Sequence, residues 1–211
     1  MLNSYQSPYP NFVHQLFITP SKHIYALRDG QLKWQKKPME ITLQGLEKSD
    51  RDHVIFYLVA DHNSSAFYAE VQTTRTRSDP IDFLKRAWNK KEDFFFCGLP
   101  ENLMLPNVVN DRYPKIKTYL RSVAVGCVAP PSGFAAGIHH IKNWEKDIAS
   151  AMMFDAFSTK APSTLDSLSK SIRYALVSGN DQKITRPGVP LSRKEIWENQ
   201  SGGKPTLKFP S

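Results

Sequence analysis

Residues 53–72, HVIFYLVADHNSSAFYAEVQ, decide the fold class. The run at 53–60 is continuously apolar and of strand length, which is typical of a sheet centre covered on both faces. HNSS at 62–65 supplies turn residues, and the aromatic and β-branched residues of 66–72 favour a second strand. This stretch therefore predicts an antiparallel hairpin inside a buried sheet.

Further elements are predicted on both sides of this hairpin. FVHQLFI at 12–18 indicates a strand that Pro20 ends or bends, and 23–27 continues that ribbon. Apolar spacing, caps and proline positions predict the remaining strands at 94–99 and 122–130, and helices at 80–89 (capped by Asp79), near 113–120, and at 134–157, 164–178 and 190–197. The order of elements predicts an α/β architecture, with a mixed five-stranded sheet and helices on both faces.

The chain is predicted to form one core domain at 12–160, between an extended segment at 1–11 and a helical extension at 161–198 that packs on the core. A flexible tail is predicted at 199–211. Within the core, 28–52 is interpreted as a hairpin or a surface insertion, with arms QLKWQ at 31–35 and MEITLQGL at 39–46.

Composition favours an ordinary soluble protein with a basic surface. The 211 residues include 28 Lys and Arg against 20 Asp and Glu, a net charge of +8. Positive charge attracts polyanions, although basic proteins that bind no nucleic acid are also common. No apolar stretch approaches the ~18 residues of a membrane span, and the start lacks a secretory signal pattern. We therefore expect a cytoplasmic protein without a membrane partner.

The cysteines and short motifs exclude several chemistries. Cys97 and Cys127 are too few for a disulfide framework, and their apolar surroundings predict buried free thiols. The sequence has no close cluster of zinc ligands, no phosphate-binding glycine loop and no serine nucleophile elbow.

Several short sequence segments, in the same order along the chain, resemble the catalytic cores of DDE integrases and transposases. PNFVHQLFIT at 10–19 resembles the opening strand of that family, and YLVADHNSSAFYAEV at 57–71 resembles its second and third strands. The later matches are CGLPENLMLPNVV at 97–109, PPSGFAAGIHHIK at 130–142, and an exit segment at 180–197. The resemblance covers roughly residues 10–198 and implies the ribonuclease-H-like fold.

The same resemblance implies that the catalytic carboxylates are gone. Phe17, Pro106 or Asn107, and His140 stand where the family carries its three metal-binding acids. The family's in-line phosphoryl transfer uses two Mg²⁺ ions about 3.5–4 Å apart, which require anionic oxygen ligands. Since these side chains supply none, no metal, cofactor or catalytic residue is predicted.

Asp111 and Glu145 are candidate replacements, and Asp61 looks like a catalytic aspartate because it follows a strand. Asp111 lies beyond the predicted strand end, and Glu145 lies about 140° around the helix from His140, so both positions disfavour a rebuilt site. Asp61 follows a strand but belongs, by resemblance, to the second strand. It is predicted to bond to the backbone of its own turn.

Basic residues supply the nucleic-acid candidates. His139, Lys142 and Lys146 share one helix face, and the resemblance implies that Lys142 and Lys146 contact phosphates. The alternative is an ordinary solvated helix face. Arg75 and Arg77 begin a second basic zone, around a helix that helps build a dimer in the family. Trp34, among Lys33, Lys36 and Lys37, is either part of an exposed aromatic and basic arm or a packed tryptophan with a solvated rim.

We therefore expect a catalytically inactive integrase-like protein that binds DNA or RNA through its basic surface, in DNA mobility or its regulation. A homodimer or a transposition-related protein partner fits the same resemblance. The alternative is a non-catalytic interaction or dimerisation module. An active metal-dependent phosphoryl transferase with a rebuilt site is the least favoured function.

Overall fold

The computed structural model describes residues 7–130, 143, 145–150, 152–154, 162–185, 190–199 and 208–210. Most of the described strands form a six-stranded sheet in the order β4-β3-β1-β5-β6, with β2 paired to β1. These strands are β1 (Val13–Ala26), β2 (Leu32–Trp34), β3 (Asp52–Asp61), β4 (Phe67–Thr73), β5 (Asn102–Met104) and β6 (Gly126–Val128). A separate antiparallel pair joins β7 (Lys183–Thr185) to β8 (Pro190–Ser192).

Helices cover both faces of the sheet, as predicted. They are α1 (Pro80–Trp88), α2 (Asn107–Arg112), α3 (Lys115–Ser122), α4 (described at 143, 145–150 and 152–154), α5 (Leu165–Asp181) and α6 (Arg193–Asn199). One face carries a core cluster with Trp88 of α1 and Leu120 of α3. The other carries a cluster with Ile148 of α4 and Leu176 of α5.

The central hairpin is confirmed. β3 and β4 are antiparallel from Val54↔Thr73 to Ala60↔Phe67, and every residue of β3 is buried. The Asp79 carboxylate accepts a hydrogen bond from the Ile81 N–H at 2.8 Å and so caps α1, as predicted. β3 pairs with β1 on its other side, and β5 and β6 continue the sheet in parallel.

The predicted strand at 94–99 is wrong, because this segment is an irregular, partly buried connection and the strand lies at Asn102–Met104. The Phe96 ring is buried and stacks on Trp197 with centroids 4.9 Å apart, while the Phe96 carbonyl accepts from the Lys91 ammonium at 2.9 Å. Gly98 has φ 92°, a left-handed conformation that does not belong in a strand. Aromatic packing, and not strand pairing, thus explains the apolar run.

Three other predictions need correction, and one alternative is decided. Of the two alternatives for Pro20, the bend fits: β1 continues through Pro20, where its register with β3 shifts before resuming at Tyr25. In the insertion, the arm at 39–46 runs into a 3-10 helix (Gln44–Lys48) and does not pair with β2. The last helix starts at Arg193, since Pro190–Ser192 pair with β7. Both cysteines were predicted to be buried, but Cys127 is exposed on the short edge strand β6 and Cys97 is half-buried; neither forms a disulfide.

Candidate functional site

A cavity of about 480 Å³ lies beside the middle of β1. On one edge of β1, β5 pairs with residues 13–15 and β2 pairs with residues 24–26. In the described part of the chain, the stretch of β1 between these two pairings has no strand partner on that edge. The cavity is lined by residues 15–20 and Lys22 of β1, by Met104, Pro106, Val108 and Val109, and by Pro130 and Glu145. The gap between two short strands therefore creates the site.

Two of the sequence-predicted positions meet here. Phe17 of β1 and Pro106, just before α2, line the same cavity. Phe17 pairs with Leu58 of β3 and packs, half-buried, against the core cluster under α4 and α5. Asn107 is the first residue of α2 and is not among the lining residues. His140 lies outside the described residues.

Glu145 of α4 also lines the cavity, although its angle from His140 placed it elsewhere. Its Oε1 atom accepts hydrogen bonds from the Ser21 hydroxyl and from the Lys22 N–H, the latter at 2.8 Å. The Ser21 oxygen accepts in turn from the Ile24 N–H at 2.9 Å. The carboxylate thus fastens α4 to the irregular part of β1.

The sequence does carry a signal for this position. Glu145, Ile148 and Met152 follow the i, i+3, i+7 spacing of one helix face, and all three are buried. The acid therefore belongs to the face that packs on the sheet. Ile148 and Met152 therefore predict the direction of the Glu145 side chain better than His140 does.

The described residues do not fit a paired magnesium site. Glu145 is the one carboxylate among the described lining residues, and one of its oxygens already accepts two hydrogen bonds. Asp111 is exposed on α2 and does not line the cavity. Across the described residues, no three His, Cys, Asp or Glu side chains are grouped so as to hold a metal ion. Mg²⁺ prefers several oxygen ligands, mostly carboxylates and waters.

Asp61 is a structural residue at the end of β3, as predicted. Its Oδ1 accepts from the Asn11 N–H at 2.8 Å, and its Oδ2 accepts from the N–H and hydroxyl of Ser64 at 2.6 and 2.7 Å. The buried His14 ring lies 3.8 Å away and accepts from the Trp88 indole N–H at 3.0 Å. These bonds fix the turn before β4 and the start of β1.

The basic candidates lie in different surroundings. Lys146 is exposed on α4, next to Glu145. Arg75 lies 3.9 Å from Asp52, and Arg77 lies 3.8 Å from Glu47, which also pairs with Arg112. Part of the predicted second basic zone is therefore neutralised locally. His139 and Lys142 lie outside the described residues.

No helix in the described part of the chain is both long and apolar enough to cross a membrane.

No protein-family model matches the sequence, and no curated protein matches it. Solved structures do match. The simian T-cell lymphotropic virus intasome, in complex with PP2A regulatory subunit B56 gamma, is 11% identical with a TM-score of 0.55, over 98% of this chain and 60% of that one. The magnesium complex of the HTLV-2 integrase catalytic core domain, in its trimeric form, is 12% identical with a TM-score of 0.50, over 90% of this chain and 99% of that one.

This likeness, at such low identity, establishes the fold and nothing finer. The chain spans about 60% of the length of the intasome chain and nearly the whole of the isolated catalytic core. The protein has the ribonuclease-H-like fold of retroviral integrase catalytic cores.

Proposed function

We propose that this protein is a catalytically inactive integrase-like protein that binds nucleic acid. The observation that carries the proposal is the composition of the cavity beside β1. Phe17 and Pro106 line it where the resemblance expects acids, and the acid that α4 contributes is tied to Ser21 and Lys22.

The chemistry explains why this composition matters. Two dications held about 3.5–4 Å apart repel each other, and anionic ligands offset that repulsion in two-metal enzymes. Phe17 offers no ligand atom, and the Pro106 side chain offers none. A single carboxylate that is already hydrogen-bonded does not supply the charge that this mechanism needs.

Nucleic-acid binding is supported by charge. The chain carries a net charge of +8, and Lys146 is exposed on α4, next to the cavity-lining Glu145. Contacts of this kind are made mostly to phosphates, so they release counterions and depend weakly on base sequence.

The test is a fluorescence-anisotropy titration with labelled DNA and RNA. We expect binding at about 50 mM salt that weakens steeply by about 200 mM, with a similar dissociation constant for unrelated sequences. Lys146→Ala should weaken binding, whereas Lys170→Ala removes a lysine that already pairs with Asp166 and should have little effect. No measurable affinity at the lower salt concentration would remove this proposal.

A second candidate is a protein-interaction module, and one observation favours it. Phe154 of α4 and Tyr174 of α5 are 69% and 78% exposed, and Met153 and Val177 are also exposed. Exposed apolar groups on helices that cover the same face of the sheet are typical of a contact surface. Sedimentation of the wild type and of the double variant Phe154→Ser with Tyr174→Ser, with and without DNA, separates the candidates. If these residues form a self-association surface, the double variant should be monomeric and should still bind DNA.

A further inference from the structure

The segment after β1 folds back on it and forms an arm with an unusual surface. β2 is antiparallel to the last residues of β1, with Ile24 opposite Trp34 and Tyr25 opposite Lys33. Beyond β2, the Gln35 N–H donates to the His23 carbonyl at 2.8 Å, and the Met39 N–H donates to the Lys22 carbonyl at 2.7 Å. The backbone of the arm is therefore held in place on both sides of Trp34.

The two rings of the arm are stacked. The Trp34 and His23 centroids are 6.1 Å apart with an interplanar angle of 20°, and Trp34 is 36% exposed. His23 is itself fixed, since its Nδ1 lies 3.0 Å from the Gln35 carbonyl oxygen. The indole is thus supported on one side and still accessible to solvent. Of the two interpretations of Trp34, the exposed arm fits this geometry.

Lysines surround these rings. Lys22, Lys33, Lys36 and Lys37 are all exposed, and no ion pair in the described part of the chain involves them. Arg75, Arg77 and Arg86, in contrast, each lie beside an acid. Residues 30–39 contain three lysines and no acid. We call His23, Trp34 and these four lysines the arm platform.

The arm platform adjoins the cavity and α4. Trp34 pairs with Ile24 of β1, two residues after Lys22. Lys22 lines the cavity, and its N–H donates to Glu145, whose neighbour on α4 is the exposed Lys146. Lys22 therefore connects the arm platform to the wall of the cavity and to α4.

We propose that the arm platform binds single-stranded nucleic acid, with an unpaired base stacked on Trp34 and the lysines on neighbouring phosphates. A supported aromatic ring among basic side chains is what sequence-tolerant recognition of single strands requires. In a duplex, the base faces are already stacked and cannot reach the indole. This inference rests on the proposed nucleic-acid binding and names its surface and its class of ligand.

The experiment measures the anisotropy of a fluorescein-labelled oligothymidylate, and of a labelled duplex, with the full chain. Trp34→Ala should weaken binding to the single strand by roughly 10-fold or more, in line with the effect of removing stacked aromatic residues elsewhere. Trp34→Phe keeps a ring and should retain most of the affinity. Phe209→Ala is the aromatic control, since Phe209 is 43% exposed and lies outside the arm platform.

Charge is tested with a matched pair of double variants. Lys36→Ala with Lys37→Ala should weaken binding and reduce the slope of log K against log salt by about 1.4, at about 0.7 for each phosphate that is no longer neutralised. Lys115→Ala with Lys117→Ala removes two exposed lysines from α3 and should leave that slope unchanged. Circular dichroism of every variant verifies that the fold is retained.

The outcomes separate this inference from the proposed function. If the wild-type chain binds the single strand and Trp34→Ala binds it equally well, the arm platform is wrong while nucleic-acid binding stands. Tighter binding of the duplex than of the single strand also overturns the arm platform. If the wild-type chain binds neither, both proposals fail.

Discussion

The Oε1 atom of Glu145 accepts a hydrogen bond from the backbone N–H of Lys22 at 2.8 Å, which joins α4 to β1 where the register of β1 shifts. The Ser21 hydroxyl donates to the same oxygen. The acid at the wall of the cavity therefore has an identifiable structural role, whatever its ancestry.

Removal of this carboxylate should destabilise the protein. Glu145→Ala leaves the buried Ser21 hydroxyl and the part-buried Lys22 N–H without this acceptor, and we expect a decrease of about 2–4 kcal/mol in the free energy of unfolding. Glu145→Gln keeps an amide oxygen as acceptor and should decrease it less. Urea denaturation measures both, with Asp111→Ala as an exposed control. Unchanged stability in Glu145→Ala would show that the tie is unimportant.

An acid at position 17 should not convert the cavity into a metal site. Phe17→Asp removes packing against the core and places a carboxylate beside an apolar wall, so we expect a lower melting temperature that Mn²⁺ does not restore. Phe17→Leu, which keeps an apolar side chain, should melt close to the wild type. The measurement is thermal unfolding with and without Mn²⁺. A large Mn²⁺-dependent rise in the wild-type melting temperature would contradict the proposed loss of the metal site.

Asn180 should hold the C-terminal extension on the core. Its Oδ1 accepts from the Phe67 N–H, and its Nδ2 donates to the carbonyls of Phe67 and Leu176, at 3.0, 3.0 and 2.8 Å. The bonds to Phe67 satisfy backbone N–H and C=O groups at the start of the edge strand β4.

Asn180→Ala is expected to lower the free energy of unfolding by about 2–4 kcal/mol, because buried backbone groups are left without their partners. Tyr174→Ala, on the exposed side of the same helix, should change it little. Hydrogen exchange of the Phe67 amide is a local measure. Equal protection of that amide in the two variants would argue against the role of Asn180.

His53 should contribute to the loss of stability in acid. Burial, and then the nearby Arg51, lower the pKa of His53 below its ordinary value of about 6.5. The unfolded chain therefore binds a proton at higher pH than the folded chain does. The stabilising contribution is complete above the unfolded pKa and is lost as the pH falls through the folded pKa.

His53→Gln should flatten the pH dependence of the urea midpoint below about pH 6.5. Ser49→Ala is the companion variant, since it removes the hydroxyl that lies 2.7 Å from His53 Nε2 but keeps the imidazole. It should retain the wild-type pH dependence. If the urea midpoint of His53→Gln varied with pH as that of the wild type does, the loss of stability in acid would come from other groups.

Local sequence patterns predicted the elements that are determined by local chemistry. The β3–β4 hairpin follows from an apolar run and the turn around Ser64, and α1 follows from Asp79 and Pro80 at its start. The meeting of Phe17 with Pro106 in one cavity followed from the resemblance, and not from any spacing in the sequence.

Other features depend on interactions between distant segments. Phe94–Phe96 have the composition of a strand, yet Lys91 and Trp197 hold them in an irregular conformation. The pairing of β2 with β1 depends on a 3-residue register that no local signal specifies. Glu145 could have been assigned to the buried face of α4 from Ile148 and Met152, but its partner Ser21 is 124 residues away.

The most direct test of the central claim is incubation of the wild-type chain with labelled DNA and Mn²⁺, in a buffer where anisotropy shows binding. The proposed loss of the paired-metal site predicts full occupancy of the DNA with no cleavage or strand transfer. Mn²⁺-dependent cleavage that Glu145→Gln or Asp111→Asn abolishes, in variants that still bind DNA, would contradict it and assign the cavity an active metal site.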